Sequence, residues 1–137
     1  MSDKSRELAL RFLKKADHDL ITARQTLLLP DGPTDTVCFH AQQAIEKALK
    51  AWLTFLRVPF PRTHDLIELL DLALPRLPEM ERYRERFAEL TEYAVEMRYP
   101  DDSFEPPRDE ALSALSFADE MVSRIRRELS KASSEKE

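Results

Sequence analysis

Three residues that could recognise an anion or a nucleobase lie on one predicted helix. His40, Gln43 and Lys47 are spaced by three and four residues, so in an α-helix they form one polar stripe. An imidazole, an amide and an ammonium together can supply a general base or contact base edges and phosphates. A solvated helix face explains the same spacing, so both interpretations stay open. The chain's three histidines lack the spacing of a metal site, and we expect no metal and no cofactor.

A second candidate lies in residues 98–102 (RYPDD), at the predicted end of a later helix. A helical projection places Arg98 on the apolar side of that helix, where its guanidinium needs an anionic partner. An internal carboxylate, Asp101 or Glu46, would serve. A phosphate would serve equally, because a planar guanidinium binds it through two hydrogen bonds, and Tyr99 could then stack on a base. The sequence therefore predicts that Arg98 and the stripe on the earlier helix converge on one anion-binding hollow.

The helix that carries the stripe is predicted to be the centre of the core. Its apolar positions recur at helical spacing over more than five turns. They are Val37, Ala41, Ala44, Ile45, Ala48, Leu49, Trp52, Phe55 and Leu56. Phe39 falls among the polar positions, and we expect a neighbouring helix or a second subunit to cover it.

The remaining apolar patterns predict an all-α fold, an up-and-down antiparallel bundle of four long helices plus one short helix. We expect one domain over residues 1–137, with a frayed tail at 131–137. Prolines mark most of the helix ends. The predicted helices run from Ser2 or Asp3 to Leu29, from a Thr34 or Asp35 cap to Arg57, from a Thr63 cap to Leu74, from Glu79 to just before Pro100, and from Pro107 to about Leu129.

Composition excludes several classes of protein. The net charge of −5 argues against a non-specific binder of duplex DNA, and the single glycine, Gly32, excludes glycine-rich phosphate loops. The single cysteine, Cys38, excludes an internal disulfide and favours a reducing compartment. With no apolar run of membrane-spanning length and no leader-like start, we expect a cytoplasmic protein that does not bind a membrane. The absence of Asn and the abundance of Arg, Glu and Pro are typical of thermophile proteins.

Four short motifs carry a family resemblance. They are FHAQQA at 39–44, EKALKA at 46–51, THDL at 63–66 and YAVEMRYPD at 93–101. In this order and spacing the chain resembles the HEPN family of small prokaryotic helical domains, across roughly residues 8–129. The resemblance implies a helical bundle, frequent homodimerisation and a role with nucleotide or RNA. Many such proteins are encoded beside a minimal nucleotidyltransferase as a toxin and antitoxin pair.

The ribonuclease branch of that family has an Arg followed, after four to six residues, by a His near the start of its last long helix. No His follows Arg98 here, and the literal match from Arg57 to His64 straddles the proline-rich crossover instead. The chain therefore looks like the non-nuclease branch, and we predict no catalytic residue. Three hypotheses follow, namely a non-catalytic nucleotide- or RNA-binding module, a metal-independent endoribonuclease using Arg98 with His40 or His64, and a scaffold that contacts a partner protein.

Overall fold

The computed structural model describes residues 3–96 and 105–135. Helices α1 (Asp3–Leu27), α2 (Thr34–Leu56), α3 (Leu66–Ala73), α4 (Arg84–Glu96) and α5 (Arg108–Glu135) follow one another, with a 3-10 helix, Pro78–Tyr83, before α4. The all-α prediction of four long helices and one short helix is confirmed. The 3-10 helix occupies the first turns of what the sequence predicts as the fourth helix, whose predicted end near Pro100 lies outside the described residues. No helix in the described ranges is long and apolar enough to cross a membrane.

Helix α2 is the centre of the core, as predicted, and packs against α1, α3, α4 and α5. Its predicted apolar face is buried except for Leu56, which is half-buried. Burial extends further round the helix than the apolar pattern indicates, because Gln42 and Glu46 are also buried. Two polar side chains inside a core need hydrogen-bond partners, and these partners build the candidate site.

The turn between α1 and α2 depends on close packing at Gly32. Its φ is not positive, so the reversed backbone that glycine often supplies in a turn is not used. A Cβ at this position would lie 2.0 Å from the backbone oxygen of Thr26. The Arg108 guanidinium donates to the backbone oxygen of Leu27, a carbonyl in the last turn of α1, and to that of Leu29, which also accepts from the Gly32 N–H at 3.1 Å.

Two predicted N-caps are wrong by one or two residues. The N-cap of α2 is Pro33, whose side chain has no atom that could cap the helix, and the hydroxyl of Thr34 donates to the carbonyl of Pro106 at 2.6 Å. The N-cap of α3 is Asp65, whose carboxylate accepts from the Ile67 N–H at 2.9 Å. His64 therefore precedes α3 rather than forming its first turn, and its side chain contacts α2 instead.

The end of α2 and the start of α5 agree with their proline signals. Helix α2 ends at Leu56, one residue before the predicted end, and Arg57 is its C-cap, in a left-handed backbone conformation with a φ of 60°. Helix α5 begins just after Pro107, as predicted, but it continues to Glu135. The helix therefore extends into the segment for which fraying is predicted, and Ala132 is half-buried against the core there; the fraying itself stays a prediction.

Candidate functional site

Two of the predicted site residues on α2 meet at a carboxylate supplied by α1. The Nδ1 of His40 lies 2.8 Å from one oxygen of Asp19, and the Nζ of Lys47 donates to the other oxygen at 2.6 Å. Asp19 is only 7% exposed. A buried carboxylate needs such partners, and in return it fixes both side chains at one place on the surface.

Gln43, the third residue of the predicted stripe, belongs to a different group of contacts. Its amide nitrogen lies 2.7 Å from the side-chain oxygen of Gln42 and 3.3 Å from the carboxylate of Glu46. The predicted stripe is therefore divided between two carboxylates, Asp19 and Glu46.

Glu46 is the centre of the second group. It is 4% exposed, and its two oxygens accept from the Nζ of Lys50 and lie beside the Nδ1 of His64, both at 2.9 Å. The Gln42 amide reinforces the arrangement by donating to the backbone oxygen of His64 at 2.9 Å. Helix α2 and the segment before α3 are thus joined through one buried acid.

The protonation of Glu46 follows from these contacts. Burial on its own raises the pKa of this carboxyl, because it penalises the charged form. The hydrogen bonds and charges of Lys50 and His64 together outweigh that effect and hold the pKa of Glu46 below its ordinary value of 4.5. Glu46 is therefore a carboxylate at neutral pH.

Both acids are buried, whereas three of the four basic side chains reach the surface. His64, Lys47 and His40 expose 48%, 27% and 25% of their side chains, respectively. Each imidazole turns its Nδ1 toward a carboxylate, and its Nε2 makes no hydrogen bond to the described part of the chain. The Nε2 of such a ring is an acceptor in the neutral tautomer that donates from Nδ1 and a donor in the protonated form, so either form can hydrogen-bond a ligand.

Phe39 lies beside the first group. It is half-buried, and its ring meets the ring of His40 edge-on, with 5.7 Å between centroids. Arg98 and Tyr99, the other two predicted site residues, lie outside the described residues. Glu46, one of the internal partners suggested for Arg98, is already engaged by Lys50 and His64.

Residues 3–96 and 105–135 do not form a metal site or a nucleophilic cysteine site. No group of three or more His, Cys, Asp or Glu side chains there could hold a metal ion. Cys38 is fully buried, and its burial raises the pKa of the thiol to about 11, against an opposing hydrogen bond from Tyr93. The thiol is therefore not a nucleophile at neutral pH.

Sequence reasoning missed two site residues, Asp19 and Lys50. It also missed that Glu46 is the buried acid at the centre of the second group. Asp19 follows Phe12 by seven residues, which places it at the edge of the apolar face of α1. This position could have predicted that its carboxylate is buried. The polar pattern of α2 gave no comparable signal for Glu46. Its burial arises only when the segment before α3 packs over it.

Comparison with known proteins identifies the class. The family model for the HEPN domain matches residues 9–128, and the chain belongs to this family. It is similar to the protein in the crystal structure of TT1696 from Thermus thermophilus, with 32% sequence identity and a TM-score of 0.68. The likeness covers 87% of this chain and 96% of that chain. No curated protein matches.

Proposed function

We propose that this HEPN protein is a non-catalytic module that binds nucleotide or RNA at the surface formed by His40, Gln43 and Lys47, with Arg98 and Tyr99 as further contacts. The observation that carries the proposal is the pair of contacts at Asp19, 2.8 Å to His40 and 2.6 Å to Lys47. Side chains already held in place lose little conformational entropy when a ligand binds. The ammonium of Lys47 keeps further donors for a phosphate oxygen.

The neighbouring surface of α1 supports an anionic ligand. Lys15 is exposed and lies one helical turn before Asp19, on the same side of α1. Within the two groups, the Asp19 and Glu46 carboxylates balance the ammonium charges of Lys47 and Lys50, so Lys15 supplies the excess positive charge. An electrostatic surface of this kind attracts phosphates even on a chain whose net charge is −5.

The test is calorimetric titration with ATP, GTP and a short single-stranded RNA. We expect the Lys47→Met protein to bind the best of these ligands about tenfold more weakly than wild type, since a charge-assisted contact is lost. Lys131→Met is the matched control, because this lysine is exposed on α5 and should leave the affinity unchanged. Circular dichroism of both variants checks that they fold.

Two results would contradict the proposal. Absence of binding heat for wild type with all three ligands would remove the binding function. RNA cleaved by wild type but left intact by the His64→Ala protein would replace a binding module with a ribonuclease, because His64 is the most exposed imidazole of the two groups.

We also propose that the module is a homodimer and that a minimal nucleotidyltransferase is its partner protein. The supporting features are family membership and the incomplete burial of Phe39. We expect Phe39→Glu to sediment as a monomer, because a charge in an apolar contact opposes assembly. The control is Thr54→Glu, a half-buried position about four turns further along α2. A Phe39→Glu dimer as stable as wild type would exclude Phe39 from the contact.

A further inference from the structure

An open groove lies at the opposite edge of α1 from Asp19, where α1, α2 and α5 meet. Its volume is about 250 Å³. Its apolar walls are formed by Leu10, Leu13, Phe55 and Leu129. Leu10 remains about half exposed there, so the groove presents apolar surface to solvent. Neither the contacts at Asp19 nor those at Glu46 use any of these residues.

The register of α1 against α5 defines the two ends of the groove. Arg24 pairs with Asp119 at 2.8 Å and Asp17 with Arg126 at 2.7 Å, so the two helices run antiparallel. Arg126 therefore lies level with Asp17 at one end. Arg6 lines the groove eleven residues before Asp17, about 16 Å away along the helix axis.

The two arginines differ in their partners. The guanidinium of Arg126 is bound to Asp17, whereas Arg6 makes no ion pair with a side chain in the described part of the chain. The Ser133 hydroxyl lines the groove toward the Arg6 end. No carboxylate from the described residues lines the groove. Within the described residues the groove is therefore polarised, with an arginine that makes no ion pair at one end, an apolar middle, and an arginine held in an ion pair at the other end.

We propose that this groove binds a small amphipathic anion, a linear acyl or alkyl chain of about eight carbons whose carboxylate or phosphate head lies at Arg6. The cavity holds about eight water volumes, and a methylene group is similar in size to a water molecule. The apolar walls match the tail, and the guanidinium of Arg6 matches the head. Displacing water from apolar walls supplies the driving force.

The chain contains a natural reporter for this binding. Trp52 is its only tryptophan, and its ring stacks on Phe55 with 6.2 Å between centroids and 19° between planes. Since Phe55 lines the groove, a bound tail should change the fluorescence of Trp52. Octanoate and octyl phosphate are the probes. Octylammonium tests the charge of the head, and butyrate tests the length of the tail.

Octanoate is expected to change the fluorescence saturably. Octylammonium should bind at least tenfold more weakly, and butyrate, which lacks four methylenes, about a hundredfold more weakly. Arg6→Gln should lower the affinity for octanoate about tenfold, and Leu10→Glu should abolish binding by placing a carboxylate in the groove. The control is Arg11→Gln, at an exposed position on α1 outside the groove, and this protein should bind octanoate as wild type does. Octyl phosphate compared with octanoate shows which head Arg6 prefers.

Equal binding of octanoate and octylammonium would overturn the proposal, as would unchanged octanoate binding by Leu10→Glu. A wild-type protein that binds no octanoate but forms a dimer that Leu10→Glu dissociates would assign the groove to contact between copies instead. The nucleotide titrations are independent of this result, because the two sites share no residue.

Discussion

Replacing Glu46 with glutamine is expected to lower the free energy of unfolding by about 3 kcal/mol, because one partner of a buried charge pair is removed. Glutamine keeps the size of the side chain but cannot neutralise the ammonium of Lys50, which is itself mostly buried. It also removes the anion that orients His64. Urea unfolding followed by circular dichroism measures the difference.

Glu89→Gln is the matched control for this substitution. Glu89 pairs with Arg86 at 3.2 Å, but its side chain is 61% exposed. Exposed pairs of this kind contribute about 0.5 kcal/mol or less. An equal loss in the two variants would show that burial of Glu46 does not decide the energetics.

A double substitution isolates the cause of the loss. If the penalty comes from an unpaired ammonium, adding Lys50→Met to Glu46→Gln should recover part of the stability, because the remaining buried charge is then replaced by an apolar chain of similar length. A Glu46→Gln, Lys50→Met protein that is less stable by the full sum of both single changes would contradict this explanation.

Sequence patterns predict the helices well because each signal is local. The spacing of apolar residues along α2 and the prolines after Arg57 and before Arg108 require no knowledge of tertiary structure. The family is equally accessible, since its motifs are contiguous in the chain. The N-caps were less predictable, because the Thr34 hydroxyl finds its acceptor at Pro106, far away in sequence.

The candidate site was predictable only in part, because it depends on contacts between residues that are far apart in the sequence. Helical spacing places His40 and Lys47 on one face, and the structure brings them together at Asp19. The same spacing includes Gln43, yet that side chain turns to Glu46. Which carboxylate each residue meets depends on the register of α1 against α2 and on the path of the chain before α3. The spacing of residues along one helix carries no information about this register or this path.

His64 shows how a small shift in a helix boundary changes the surface of the central helix. Had α3 begun at His64, the imidazole would have been a first-turn side chain. Because Asp65 is the N-cap, His64 lies in the chain segment that crosses α2, where Gln42 holds its carbonyl and Glu46 its ring. A capping residue therefore determines which imidazole joins the polar groups of α2.

Acid is expected to remove the contribution of Glu46 to stability. The pKa of Glu46 lies below 4.5 in the folded protein, whereas the unfolded chain has the ordinary value of 4.5, so the unfolded state binds the proton more readily. The stabilisation is therefore fully present above the unfolded-state pKa and is lost as the pH falls through the folded-state pKa. The measurement is the difference in free energy of unfolding between wild type and Glu46→Gln.

That difference should be largest near about pH 7 and should shrink steadily below the ordinary pKa of a glutamate, because the wild-type side chain then becomes neutral like its replacement. Exposed acids whose pKa is also lowered, Glu79 beside Arg124 and Glu81 beside Arg84, are present in both proteins and cancel from the comparison. A difference that stays constant down to about pH 3 would mean that the lost stability of Glu46→Gln reflects packing rather than charge.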